Sequence, residues 1–319
     1  MSQVRTQPPR LFSGLALTTA LLTLGLIVFG AIVRVTDSGL GCGDSWPLCD
    51  GRILPPLDNL TAWIEWTHRL FAALIGVLGL ATLVAAWRVR RLQRVAFGAV
   101  VAAAVLFMIQ SSLGALVVVL ELPPTMVALH LGTAMLLLAA LLVPVVVVRF
   151  KPEARGQAMD HVTMLIYITT ALSFVIILTG ALVRGSGATL ACTDWPLCNG
   201  TILPTGQGHA ALIHMLHRFA VVALGVALVL MIWQIIQAGR DRALRRVAIW
   251  AFVIYLAQAG VGAIFVLTQA GRVWGATHVG LAATTWALLV VLSIMEYLRS
   301  STSRQDTMAW QSQSKIAAN

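Results

Sequence analysis

Eight apolar runs, each near 20 residues long, constrain this chain more than any other feature. A run of that length spans the hydrocarbon core of a bilayer when coiled as a helix. The runs cover roughly 13–33, 62–86, 96–119, 126–148, 162–183, 210–236, 247–268 and 275–298. Backbone polar groups in hydrocarbon must be satisfied within the protein, so each run is predicted to be a helix. Of the 319 residues 59% are hydrophobic and 11% charged, against about 25% charged in soluble proteins. The expected class is an all-α integral membrane protein.

The net charge of +10 does not point to nucleic acid, because the basic residues gather in short connections between the runs. One connection holds Arg88, Arg90, Arg91 and Arg94, another Arg149, Lys151 and Arg155, and a third Arg240, Arg242, Arg245 and Arg246. The positive-inside rule puts these three, with both termini, in the cytoplasm. The long connections 34–61 and 184–209 then lie outside, and the first carries Asp37, Asp44, Asp50 and Asp58. Arg5 and Arg10 precede the first run as in a signal peptide. That run is too long for a signal core and has no small-x-small cleavage site, so it is expected to be retained. No long Arg/Ser-rich presequence precedes it, which favours a bacterial inner membrane. The polar segment 301–319 is expected to be a disordered cytoplasmic tail.

The chain repeats itself. Trp46-Pro-Leu-Cys49 returns as Trp195-Pro-Leu-Cys198, and Gly51-Arg-Ile-Leu-Pro55 as Gly200-Thr-Ile-Leu-Pro204. His68 returns as His217, 149 residues later; Gln110 returns as Gln258 and His130 as His278, both at 148. Gly114 returns as Gly262 and Arg34 as Arg184. The halves are 1–150 and 151–300. Each has four spans, an even number, so both face the same way. The expected architecture is two like-oriented four-helix bundles related by a pseudo-two-fold axis along the membrane normal.

The stretch Thr61-Ala-Trp-Ile-Glu-Trp-Thr-His-Arg-Leu-Phe71 places Glu65 and His68 on one face of the second helix. Both are costly in hydrocarbon and are seldom kept there without a task. In the second copy His217 and Arg218 stand for His68 and Arg69, with His214 in the place of Glu65. His68 and His130 are predicted at one depth below the outer surface, and His217 and His278 at the matching depth. Facing imidazoles on bundle helices suit the two axial positions of a haem iron. Taken singly, each histidine could instead be a polar link between helices, as Gln110 and Gln258 are first read to be. His209 reads as a surface residue, and His161 receives no role.

All four cysteines lie in the two long outside connections, Cys42 and Cys49 in one, Cys192 and Cys198 in the other. Thiols confined to the oxidising face read as one disulfide per loop. A redox role for the first pair and a zinc site from all four are the alternatives. Arg34, Arg69, Arg184 and Arg218 are cations near the histidine depth and are candidate partners for haem propionates.

Together these features resemble the haem A synthase family. The resemblance covers about residues 13–298. It rests on the E-x-x-H-R motif Glu65–Arg69, a histidine in span four, His217-Arg218 in span six, a histidine in span eight and the paired loop cysteines. It implies oxidation of a methyl substituent of haem O to a formyl group, giving haem A for terminal oxidases. It further implies that His217 and His278 ligate a resident haem b in the C-terminal half. His68 and His130 would hold the substrate haem O in the N-terminal half, with Glu65 as the acidic residue beside it. Cys42 and Cys49 match a pair assigned redox chemistry, and Cys192 and Cys198 a structural disulfide. Haem O synthase, an electron acceptor and the lipid bilayer are the expected partners, and a homo-oligomer is open. Two rivals use the same histidines: a two-haem b-type membrane cytochrome passing electrons from quinol, and a non-catalytic haem carrier or transporter. A one-sided acid such as Glu65 has no evident use in a pure electron carrier.

Overall fold

The computed structural model describes residues 10–153 and 160–317, with side chains described as far as residue 300. Arg5 and Arg155 lie outside the described residues. Eight long helices follow one another: α1 (Arg10–Val35), α2 (Leu60–Arg88), α3 (Arg94–Val119), α4 (Pro124–Arg149), α5 (His161–Gly185), α6 (His209–Gln237), α7 (Arg242–Leu267) and α8 (Arg272–Ala317). Each contains a segment long and apolar enough to cross a membrane. Among the described residues there is no strand.

The helices begin a few residues before the apolar runs because local chemistry fixes their ends. Asn59 Oδ1 accepts the Ala62 N–H at 3.1 Å at the start of α2. Asp160 Oδ1 accepts the Thr163 N–H at 2.9 Å at the start of α5. Both satisfy a donor that the first helical turn leaves free. Pro124 opens α4, where its missing N–H costs nothing. At the other end of the chain, α8 stays helical to Ala317 through the segment for which the sequence reading expects disorder. Residues 301–317 contain no Gly or Pro and several good helix formers, so polarity alone does not end the helix.

Within the first half, α1 packs on α2 and α4, and α3 closes the ring between α2 and α4. In the second half α5 packs on α6 and α8, and α7 closes the ring in the same way. Across the boundary α1 meets α8, α4 meets α5, and α4 meets α8. Exchanging the halves leaves this pairing pattern unchanged.

The boundary has its own core of Ile27, Met135, Leu138, Ala283, Trp286 and Val290. Trp286 Nε1 donates to Met135 O across it at 3.0 Å. Small hydroxyl pairs link helices inside each half: Thr19 with Thr82 at 2.9 Å, and Thr170 with Ser293 at 2.8 Å. Such links replace the missing hydrophobic drive between helices in lipid. Outward faces carry bare apolar side chains such as Val77, Leu80, Val222 and Val226.

Up-and-down helices put the loops after α1 and α5 at one end of the molecule, which we term the disulfide end. The Arg-rich connections after α2 and α6 fall at the opposite end.

Candidate haem-binding site

His68 and His217 are the ninth residues of α2 and α6, and His130 and His278 the seventh of α4 and α8. A rise of about 1.5 Å per residue sets all four about 9–12 Å in from the helix starts at the disulfide end. Each imidazole lies over a glycine of the neighbouring helix. A Cβ added at Gly30 would lie 3.2 Å from His68 Cε1, and one at Gly114 would lie 3.1 Å from His130 Cε1. In the second half a Cβ at Gly180 would lie 3.3 Å from His217 Cε1, and one at Gly262 would lie 2.9 Å from His278 Cε1. These glycines let the Cε1 edge of each ring come close to a helix, and any larger residue would push it away.

The ring nitrogens are treated differently in the two halves. Thr179 Oγ1 is 2.9 Å from His217 Nδ1 and also donates to Ile176 O at 2.8 Å. A hydroxyl has one proton, so toward His217 its oxygen accepts, and the imidazole carries its proton on Nδ1. His278 Nδ1 donates to Gln258 O at 3.0 Å. Both rings of the second half are thereby left with an Nε2 lone pair, the form that binds iron. In the first half the Nδ1 atoms of His68 and His130 are buried and, among the described residues, have no hydrogen-bond partner. His130 Nε2 meets the Gln110 side-chain amide at 3.1 Å. His68 has the Phe29 ring beside it, 5.9 Å between centroids.

Glu65 and His214 do matching work on the loops. Glu65 is buried, accepts the Cys42 N–H on Oε2 at 2.9 Å and pairs with Arg69 through Oε1. Arg69 reaches on to Ser45 O at 3.0 Å and Leu48 O at 3.0 Å. His214 Nδ1 donates to Ala188 O at 3.0 Å, its Nε2 faces Arg218 at 3.3 Å, and Arg218 reaches Pro196 O and Leu197 O. In each half, then, two residues one turn apart clamp the disulfide loop onto the helix that carries the histidine. Arg69 and Arg218 point at loop carbonyls, whereas Arg34 and Arg184 are less committed. Arg34 Nε is buried and unpartnered, and Arg184 stands 3.8 Å from Asp37 of the other half.

Cys42–Cys49 and Cys192–Cys198 are disulfides, with S–S distances of 2.07 and 1.97 Å. No thiol is left for the zinc alternative, and among the described residues no cluster of three or more metal-ligating side chains occurs. Near the second disulfide, the exposed Asp194 carboxyl is held below its usual range by the Gly200 N–H and then, against slight desolvation, the Asn199 N–H. His209 is exposed at the start of α6, and His161 meets Gln234 at 3.2 Å at the Arg-rich end.

Sequence reasoning aligned Gly114 with Gly262 without a role and passed over Gly30, Gly180, Phe29 and Thr179. The signal was available: Phe29-Gly-Ala-Ile-Val-Arg34 returns as Thr179-Gly-Ala-Leu-Val-Arg184. The residues also fit the group that a pair of imidazoles implies. Among the described residues four buried polar atoms of the first half lack a partner at the histidine level or just above it: Arg34 Nε, His68 Nδ1, Gln110 Oε1 and His130 Nδ1. Buried polar groups are rarely left so in a protein without a ligand. In the second half both rings are already oriented through Nδ1, which leaves Nε2 of each without a hydrogen bond among the described residues and available as a ligand atom.

A membrane-helix bundle with paired, glycine-seated imidazoles defines the class, and sequence comparison defines the family. Residues 13–290 match the COX15-CtaA family of cytochrome oxidase assembly proteins. A haem A synthase of Symbiobacterium thermophilum is 36% identical over 305 residues, covering 90% of this chain and 94% of that one. One of Bacillus mycoides is 31% identical, covering 96% and 99%. One of Shouchella clausii is 33% identical, covering 88% and 95%. The chain belongs to this cytochrome oxidase assembly family and is a multi-pass membrane protein.

Proposed function

We propose that this protein is a haem A synthase, an oxidoreductase that converts the methyl substituent of haem O to the formyl group of haem A. Two imidazole pairs at one depth, each ring seated on a glycine, carry the reading, because one pair serves a substrate haem and the other a resident one. His68 and His130 hold haem O in the N-terminal half. His217 and His278 hold haem b in the C-terminal half. A haem iron between two imidazoles supplies one-electron redox chemistry.

The side chains do the rest. The glycine seats let the rings approach the neighbouring helices closely, and the four imidazoles would hold the two haems. Arg34 and Arg184, at the disulfide end of α1 and α5, are placed for propionates, whose carboxylates take charge-assisted hydrogen bonds from guanidinium groups. Written with water as the oxygen source, turning a methyl and a water into a formyl group releases four protons and four electrons; the electrons pass to an external acceptor, and the protons must leave a site walled by apolar helices. Glu65, one turn outward of His68, is the acid placed to take them, and its links to Arg69 and the Cys42 N–H fix where its oxygens sit. The arginine distribution supports disulfide loops outside a bacterial inner membrane and cytoplasmic termini.

Pigment extraction from the purified protein tests the reading. Haem O or haem A recovered beside haem b is expected. Haem b alone at both sites would make the protein a cytochrome, and no haem at all would make it a carrier.

A further inference from the structure

We propose that Thr179 and Phe29, which occupy the same position in the two halves, decide which haem is kept and which is exchanged. The inference rests on the two-haem reading above. An iron-bound histidine is held in place, and made a stronger donor, by a hydrogen bond from its other ring nitrogen. Thr179 accepts that bond from His217, and its own proton is fixed on Ile176 O, so the acceptor cannot turn away. Phe29 offers His68 a tilted ring and no nitrogen or oxygen acceptor, and among the described residues His68 Nδ1 has no hydrogen-bond partner.

The second histidine of each half repeats the contrast. Gln258 O, a backbone atom, holds His278 Nδ1. In the N-terminal half the Gln110 side chain sits on His130 Nε2, the nitrogen an iron would need. Gln110 must move aside when haem arrives and can return when it leaves. The N-terminal pair therefore grips weakly and has a substitute partner ready, as turnover of a substrate requires. The C-terminal pair grips permanently.

The test measures haem release from the purified, haem-loaded full-length protein to excess apomyoglobin, together with the midpoint potential of the retained haem. Thr179→Val keeps the shape and removes the acceptor. It is expected to release the C-terminal haem about 10–100-fold faster and to raise its midpoint potential, with Thr179→Ser restoring both. Phe29→Thr, read in a His217→Ala background so that only the N-terminal haem is present, is expected to slow release. Wild-type release and potential in Thr179→Val overturn the proposal. So does faster release with an unmoved potential and no rescue by serine, which would mark a packing defect. Persistence of the slowly released haem in both the His217→Ala and the His278→Ala variants fails the two-haem reading itself, and the proposal with it.

Discussion

The two halves share a plan and differ in how firmly they are closed. In α5–α8 both imidazoles are oriented through Nδ1, and the opposite end is locked by buried charges. Arg240 Nη2 lies 2.6 Å from Asp160 and 3.2 Å from Glu296, Arg299 Nη2 lies 2.6 Å from Glu296, and the Thr163 hydroxyl shares its one proton between Glu296 at 2.7 Å and Asp160 at 3.0 Å. In α1–α4 the repeat puts Arg10 and Val148 where Asp160 and Glu296 stand, so no such lock can form. The apolar cores follow suit. The second half has one continuous cluster running from Val162 through Leu228 to Met295, whereas the first has two smaller ones, around Phe12 and around Ala20. A duplicated frame has kept its histidines and glycines and changed what surrounds them. In our reading, the rigid copy houses a permanent cofactor and the looser copy a substrate that must come and go.

The comparison can be broken most directly at the iron. His217→Ala and His278→Ala are each expected to abolish the retained haem, while His68→Ala and His130→Ala leave it in place. Visible spectra of the purified variants check this, and retained haem in either of the first two would remove the assignment of halves.

Next in size is the chemistry assigned to one half only. Glu65→Gln keeps the shape of the side chain and loses the proton acceptor. Conversion of haem O is expected to fall about 10²–10⁴-fold in a protein that still holds its haem b. Haem species and protein level measured in the same strain decide it. Equal losses of haem b and of protein would mean that Glu65 acts only as a clamp on Arg69 and Cys42.

The buried lock gives a stability test. Glu296 is fully buried and Arg299 nearly so. Removing one member of a buried charge set typically costs about 3–5 kcal/mol, since its partners are left unpaired. Glu296→Ala should therefore lower the thermal midpoint of haem loss from the C-terminal half. Val148, its counterpart, should accept alanine at the cost of one trimmed apolar side chain, about 1 kcal/mol or somewhat more. Similar shifts for the two variants would refute the asymmetry.

The smallest effect is a pH dependence at Asp160. Partial burial works to raise its carboxyl, but the Thr163 N–H, Arg240 and the Thr163 hydroxyl outweigh it and hold the group at about 2, below its ordinary 3.8. A depressed carboxylate contributes its full stability above the unfolded value and loses it as pH falls through the folded one. Asp160→Asn should thus lower stability by a constant amount above about pH 4, less than about 1 kcal/mol after solvent screening, read as a lower melting temperature. The gap from wild type should close between about pH 4 and about pH 2. A gap that persists at the acid end would detach Asp160 from the lock.

Much of this was legible in the chain because hydrocarbon leaves few choices. Apolar runs of one length must be helices, their even number per repeat fixes like orientation, and cysteines confined to two loops pair there. Four histidines at repeated positions stood out because an imidazole among Leu and Val needs a reason. The partners of those histidines were not legible, since they depend on which helices meet and how each is rotated. Phe29 and Thr179 read as ordinary lipid-helix residues until α1 packs on α2 and α5 on α6. Arg69 and Arg218 looked free for propionates, and only the folded loops, tied by their disulfides, bring carbonyls within reach of them. Asp160, Arg240 and Glu296 lie on three separate segments of the chain, and nothing in their spacing announces that they meet. Sequence determines the helices and their order, because those follow from local chemistry and the bilayer. The packed structure alone decides which side chain touches each ring nitrogen, because hydrogen bonds form between neighbours in space.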